Sequence, residues 1–235
     1  TGIGEMPFRA AACTGALYHI ELYLVCGDLP GLNAGIYHFD PSESALRLLC
    51  KGDYRRTLID AASNEPSVAN APAILVYTDV FWRNAVKYQA REYRHTFWDS
   101  GTIMANTLAT AAASGITANL VVGFVDDSVN QLLNLDDQRE VTVALVPIGY
   151  VEEVITGAPP EIVPLQVTTG HKSGFEIDFP AIREMHQASS LASMEEVAEW
   201  RSKPDAIRST KPSAPVIPFE RYALGALPMD PVEKV

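Results

Sequence analysis

The sequence is poor in cysteine and poor in positive charge. Its three cysteines, Cys13, Cys26 and Cys50, are odd in number and widely spaced. They fit neither a disulfide framework nor a zinc site. This usage fits a reducing, cytoplasmic compartment. Cys26 and Cys50 stand in apolar runs and read as small buried hydrophobes. The five histidines, His19, His38, His95, His171 and His186, lack metal-ligand spacing, so no metal is expected. No apolar run reaches the length of a membrane-spanning helix. The N-terminus shows no basic, then apolar, then small-residue pattern of a signal peptide. Lys and Arg total 18 against 29 Asp and Glu, for a net charge of −11. That excess disfavours nucleic acid and anionic membranes as partners. There is no dinucleotide fingerprint, P-loop, zinc motif or nucleophile elbow.

What is present is an ordinary globular composition, 47% hydrophobic over 235 residues, enough for one to two domains. Tyr18 to Cys26 has the β-branched and apolar content of a buried strand. Ile36 to Phe39 and Ala45 to Cys50 read as two more, joined through the turn Asp40-Pro41-Ser42, which completes an antiparallel meander. Asp53 opens a helix to about Ser63. Ala73 to Thr78 is a strong buried strand. His95 to Ser114 is the clearest helix, with Gly115 as its left-handed stop. Asp126 or Asp127 caps a short helix through Leu133, and Val141 to Ile148 is a last strand. Strands come first as a group and then mix with helices, so the class is α+β. After Tyr150 the composition shifts. Residues 151–235 hold most of the prolines and two short helical patterns, near Ala181 to Leu191 and from the capping-box spacing of Ser193 to Glu196. Lys203 to Pro231 reads as a linker or wrapping arm. The globular domain is therefore placed at 1–150 and the arm at 151–235. The arm is expected to pack on a partner half without a core of its own.

Three segments can carry chemistry, and each has a plainer alternative. In Arg9 to His19, the small residues Ala12, Cys13, Thr14, Gly15 and Ala16 before a strand let a flat ligand approach the backbone; an ordinary loop reads the same way. Arg83 to Arg94 packs four cations and two tyrosines into twelve residues. Lysine and tyrosine can move protons at a reacting centre, yet a solvated helix face has this pattern too. Leu120 to Asp127 runs an apolar strand into Gly123 ahead of a helix start, which can aim backbone N–H groups at an acceptor. A plain strand-to-helix turn would look alike.

The order of the three segments carries a resemblance. Cys13-Thr-Gly-Ala-Leu-Tyr18, followed by Gly35-Ile-Tyr-His-Phe-Asp-Pro41, resembles the P-S-A-G-A-L-Y-P segment and its continuation in SagB-type dehydrogenases of the nitroreductase superfamily. Lys87-Tyr88, Arg91 and Tyr93-Arg94 resemble that family's K-Y-x-x-R-x-Y-R stretch. Asp99, Gly101 and Asn106 stand as in its D-x-G-x-x-x-x-N helix, and Phe124 with Asp126-Asp127 as in its G-x-F-x-D-D turn. The likeness covers about residues 1–150. It implies a nitroreductase-like FMN fold, with an antiparallel-rich central sheet flanked by helices and an extended C-terminal arm. It implies flavin mononucleotide (FMN) as cofactor, bound at the interface of a homodimer or a pseudo-dimer with a second nitroreductase-like domain. Ala12, Cys13, Thr14, Gly15 and Ala16, with Val121, Val122 and Gly123, are implied to touch the flavin. Lys87 and Tyr88 are implied to abstract a proton from a small-molecule or peptide-borne substrate. Two adjacent residues can reach one site only at a helix end or in a loop, so an irregular backbone is expected there.

The departures bear on function. Ala12, Cys13 and His19 stand where the family has Pro, Ser and Pro. The family's Arg-rich phosphate-binding start is not seen, so the chain reads as beginning inside the domain. Arg9, Arg91 and Arg94 are candidate substitutes that spacing does not separate. Met229 to Val235 reads as the lead-in to a second such domain. Three functions are open: an FMN-dependent dehydrogenase, a general nitro- or quinone-reductase, and a catalytically silent half that serves as structural partner in a pseudo-dimer.

Overall fold

Five strands form the centre of the molecule: β1 (Ile20–Cys26), β2 (Gly35–Asp40), β3 (Ala45–Lys51), β4 (Ala73–Val80) and β5 (Glu140–Ile148). They lie in the order β3-β2-β1-β4-β5, and every neighbouring pair is antiparallel. The structure is a computed structural model that describes residues 9–152, 155–162, 165 and 176–203. The meander is the expected one, and its tight turn is held by Asp40, whose Oδ1 accepts the Ser42 N–H at 2.9 Å.

Helices cover both faces of the sheet: α1 (Arg55–Ala61), α2 (Pro66–Ala69), α3 (Phe81–Tyr88), α4 (Glu92–Ala113), α5 (Asp126–Leu132), α6 (Pro180–Ser189) and α7 (Met194–Ser202). The α+β class and the antiparallel sheet flanked by helices are as expected. Asp53 lies just outside α1, and its Oδ1 accepts the Arg55 N–H at 3.1 Å. The long helix starts three residues before His95, because Glu92 and its neighbours are drawn into the buried polar cluster described below. It stops where expected: Gly115, at φ 67, donates to Ala112 O at 3.1 Å while Ile116 donates to Ala111 O at 2.9 Å, the hydrogen-bond pair of a Schellman end.

Alternation along the strands sorts the core into two layers. Ile74 and Val76 of β4 face a layer that holds Val25, Leu58, Val129, Leu132, Leu145 and Val197. Leu75 and Tyr77 face the other, with Ile20, Met104, Ala144 and Val146. Burying each such side chain contributes about 1.5–3 kcal/mol. Cys26 is buried in the sheet, but Cys50, on the edge strand β3, is only half-buried.

The two late helices rest on this chain's own body. Ile182 of α6 packs with Phe81, Ala85 and Val141, and Val197 of α7 lies in the main core. Asp126 is the first residue of α5 rather than its cap, and its Oδ2 accepts the Leu191 N–H at 2.8 Å. Ser193 caps α7, its Oγ accepting the Glu196 N–H at 3.2 Å. The compact unit ends at Arg201. The proline-rich stretch to Pro231, beyond Lys203, and the Met229 to Val235 stretch lie outside the described residues. No described helix is long and apolar enough to cross a membrane.

Candidate active site

The small-residue segment enters β1 through a short 3-10 turn at Thr14–Ala16. Gly15, Ala16 and Tyr18 have φ of 67°, 54° and 48°. For a non-glycine residue that backbone region costs of order 1–3 kcal/mol, so the loop needs restraints. Asp99, in the first half of α4, supplies them. Its Oδ2 accepts the Thr14 N–H at 2.7 Å and faces the Cys13 Sγ at 3.2 Å, while its Oδ1 accepts the Thr14 hydroxyl at 2.8 Å. The Tyr18 N–H in turn points at Cys13 Sγ, 3.1 Å away.

Behind this loop lies a buried ionic cluster. The His19 ring is fully buried, with Nε2 at 2.8 Å from Asp99 Oδ2 and Nδ1 at 2.7 Å from Asp79 Oδ1. Asp79, from the end of β4, also accepts the Thr96 hydroxyl. Glu92 Oε1 is 3.4 Å from His19 Nδ1. Burial works against a charged imidazole, but the Asp79 carboxylate and its other partners overcome it and push His19 up to about 12. Burial pushes Glu92 up to about 8, opposed by its bond to His19 and helped by the charge of Asp79. Burial would also raise Asp99, but His19 and Thr14 donate to it and hold it below its ordinary value. Cys13, His19 and Asp99, and likewise His19, Asp79 and Glu92, are close enough in donor atoms to hold a metal ion, but both imidazole nitrogens already face carboxylates.

Lys87 and Tyr88 end α3, and the backbone there is irregular, as expected of a pair that must reach one place. Gln89 follows at φ 54 and ψ −145, a combination rare outside glycine. The two side chains close over Gly15. A Cβ at that position would lie 2.8 Å from Tyr88 Oη and 3.2 Å from Lys87 Nζ. Asn84 ties the segments together: its Nδ2 donates to Thr14 O at 3.2 Å and its Oδ1 faces His95 Nδ1 at 2.8 Å. The His95 ring meets Tyr88 edge-on at 4.5 Å. Tyr88 is half-buried, while Lys87 is exposed on this chain.

A cavity of about 680 Å³ opens beside the loop, lined by Arg9 to Cys13, Tyr18, Glu21, Asp99 and the inner face of α4. The size is ordinary for a cofactor pocket. Ala10, Ala11 and Ala12 leave its wall low enough for a flat ring system, whereas Gly15, Lys87 and Tyr88 are not among its lining residues, and the two side chains occupy the space over Gly15. The phosphate is another matter. Arg9 is the cation among the described lining residues, and its Nη1 donates to Ile20 O at 3.2 Å. Arg91 stacks over Trp98 and does not line the cavity; neither does Arg94. No described residue is assigned to the phosphate.

The third segment lies elsewhere on the chain. Val121 exchanges two backbone bonds of 2.9 Å with Leu145 at the free edge of β5. Val122 is exposed. Gly123 sits under Trp200 of α7, whose Cζ3 would be 2.6 Å from a Cβ there. The structure therefore joins the first two segments and leaves the third on a separate cleft. Asp79 and Glu92 were not singled out by the sequence. Their signals were a lone carboxylate in an apolar strand and an acid amid cations, and both patterns are common on surfaces.

The family described as Nitroreductase family matches residues 36–150. Those residues are a nitroreductase-family domain. The match includes Lys87, Tyr88, Asp99 and the Val121 to Gly123 edge, while Cys13 to Ala16 precede it. The Methanocaldococcus jannaschii protein MJ1384, a nitroreductase by name, is 24% identical over 145 residues, 62% of this chain and 72% of that protein. The Escherichia coli microcin B17-processing protein McbC is 28% identical over 137 residues, 56% of this chain and 50% of McbC. Among solved structures, an Anabaena variabilis protein, also a nitroreductase by name, superimposes with a TM-score of 0.65 at 25% identity, over 79% of this chain and 38% of that one. A chain of the E. coli microcin synthetase McbBCD complex with truncated pro-MccB17 bound gives 0.54 at 24% identity, over 64% of this chain and 58% of that one. The chain thus spans half of McbC and under two thirds of both solved chains.

Proposed function

We propose that the protein is an FMN-dependent oxidoreductase of the SagB type that dehydrogenates a small organic or peptide-borne ring. Two halves, from a homodimer or a pseudo-dimer, share the cofactor. The observation that carries this reading is the closure of Lys87 and Tyr88 over Gly15, which unites two segments that are far apart in the sequence. The name of McbC, a processing protein for microcin B17, supports a peptide-borne substrate. The separation of Val121 to Gly123 from the loop on this chain supports a shared site, where one half supplies the loop and the other the edge.

Bound FMN supplies the acceptor for the hydride that leaves the substrate. The chain's own residues do the rest. Ala10 to Ala12 would give the ring room, and the loop backbone would orient it. Tyr88 and Lys87 would take a proton from the atom next to the one that loses hydride, with the tyrosine hydroxyl to orient and the lysine amine to receive it.

The exposure of Lys87 on this chain favours a second reading, in which this half is catalytically silent and structural. One experiment separates the two. The full-length protein is given a synthetic peptide with one thiazoline ring, and loss of two hydrogens is followed by mass. Lys87→Ala and Tyr88→Phe are expected to lower turnover by about 10²-fold or more, the usual scale for general acid–base catalysis, with FMN still bound. Unchanged turnover in both variants contradicts the assignment. Turnover of a quinone but never of the peptide would support a general reductase instead.

A further inference from the structure

The mechanism above uses the loop but not the cluster beneath it. Asp99 gathers donors from two sides. Thr14 gives its N–H at 2.7 Å and its hydroxyl at 2.8 Å, Cys13 lies at 3.2 Å, and the His19 ring at 2.8 Å. The same imidazole reaches Asp79 on β4 at 2.7 Å, so the loop is tied through one carboxylate to the helix and through one ring to the sheet. Both groups are buried. Hydrogen bonds to an ionised acceptor are the shorter and stronger kind, and this carboxylate is surrounded by them. The residues held by Asp99, Cys13 and Thr14, directly precede those with unusual backbone, Gly15, Ala16 and Tyr18, and the Tyr18 N–H points back at the Cys13 sulfur. A lone loop would not keep three positive φ values within four residues.

We propose that Asp99 and His19 are positioning residues for the cofactor: they lock the Cys13 to Tyr18 loop in the one backbone conformation that presents a flat face to the flavin ring. The proposal rests on the functional reading above. It gives His19, which stands where the resembling family has proline, a task that proline cannot perform, because proline has no side-chain donor. Cys13 is held in the same lock, its sulfur between Asp99 and the Tyr18 N–H, and acts here as a small polar spacer.

The test uses the full-length protein and two readouts: amide hydrogen exchange of residues 13–18 without FMN, and the equilibrium Kd for FMN. Asp99→Asn cannot accept all the donors that Asp99 gathers. Thr14→Val removes one donor at constant shape and serves if Asp99→Asn fails to fold. Thr14→Ser keeps the hydroxyl. In a variant that retains a cooperative thermal transition, we expect exchange at 13–18 to quicken at least tenfold while β1 and the middle of α4 stay protected. FMN should bind at least tenfold more weakly, and Thr14→Ser should behave as the wild type. Slow exchange in folded Asp99→Asn or Thr14→Val overturns the lock. Quickened exchange with unchanged FMN affinity overturns its assignment to the cofactor. A wild-type protein that takes up no FMN contradicts the functional reading itself, whereas a wild type that binds beside variants that bind equally well contradicts this proposal alone.

Discussion

Glu92 is the residue whose surroundings leave it least satisfied. It is fully buried, its Oε2 finds no partner among the described residues, and Asp79 adds a second negative charge close by. Burial therefore lifts its carboxyl from 4.5 to about 8 in the folded chain. Between those values the folded state keeps a proton that the unfolded state has lost. Its contribution to stability is complete below about pH 4.5, falls as pH rises, and levels off above about 8. His19, raised from 6.5 to about 12, acts in the same direction above pH 6.5. Glu92→Gln keeps the shape and offers an amide donor toward Asp79. We expect the Tm of the wild type to drop more between pH 5 and pH 8.5 than that of Glu92→Gln, in which the parts of His19 and of other raised groups such as Asp126 remain. Parallel Tm profiles for the two proteins would show that Glu92 is ionised throughout this range.

At the scale of elements, α4 and the stop that follows it carry two glycines that should respond in opposite ways. Gly101 lies within the helix, and an added Cβ meets nothing within 4 Å. Alanine there restricts the unfolded chain and should stabilise by about 0.5–1 kcal/mol. Gly115 is equally free of neighbours but sits at φ 67 in the helix stop, so alanine there should cost about 1 kcal/mol. Thermal unfolding of Gly101→Ala and Gly115→Ala checks the pair; shifts of the same sign would refute the account of how α4 is built and ended. The helix stop was readable because Ser-Gly after an alanine-rich run has one dominant meaning. The strands were readable for a similar reason, since apolar runs bounded by turn residues leave few alternatives. The start of α4 was not. Glu92 and Tyr93 look like part of a solvated charged stretch, and only the fold brings His19 and Asp79 to face them. The same holds for the site. Gly15 and Lys87-Tyr88 could be named from the order of segments in a resembling family, but their contact depends on how α3 crosses the start of β1. That crossing is a tertiary fact with no local signal. The roles given to these residues, like the placing of 151–235 as an arm, remain proposals.

For the whole molecule, the proposed shared site would have to be completed by another half. Phe97 and Trp98 on α4 are 51% and 53% exposed, and Val122 at the β5 edge is 53% exposed, beside the segments that the shared-site reading needs. The proposed function depends on one property of the protein, its capacity for FMN. The most direct measurement is an equilibrium titration of the purified full-length protein with FMN, followed by quenching of flavin fluorescence and by the identity of the flavin released on denaturation. The account predicts saturable uptake of FMN, released intact as the mononucleotide, with affinity lowered when Gly15→Ala pushes a Cβ toward Tyr88. A colourless protein that shows no saturable binding, or one in which Gly15→Ala leaves the affinity unchanged, would contradict it.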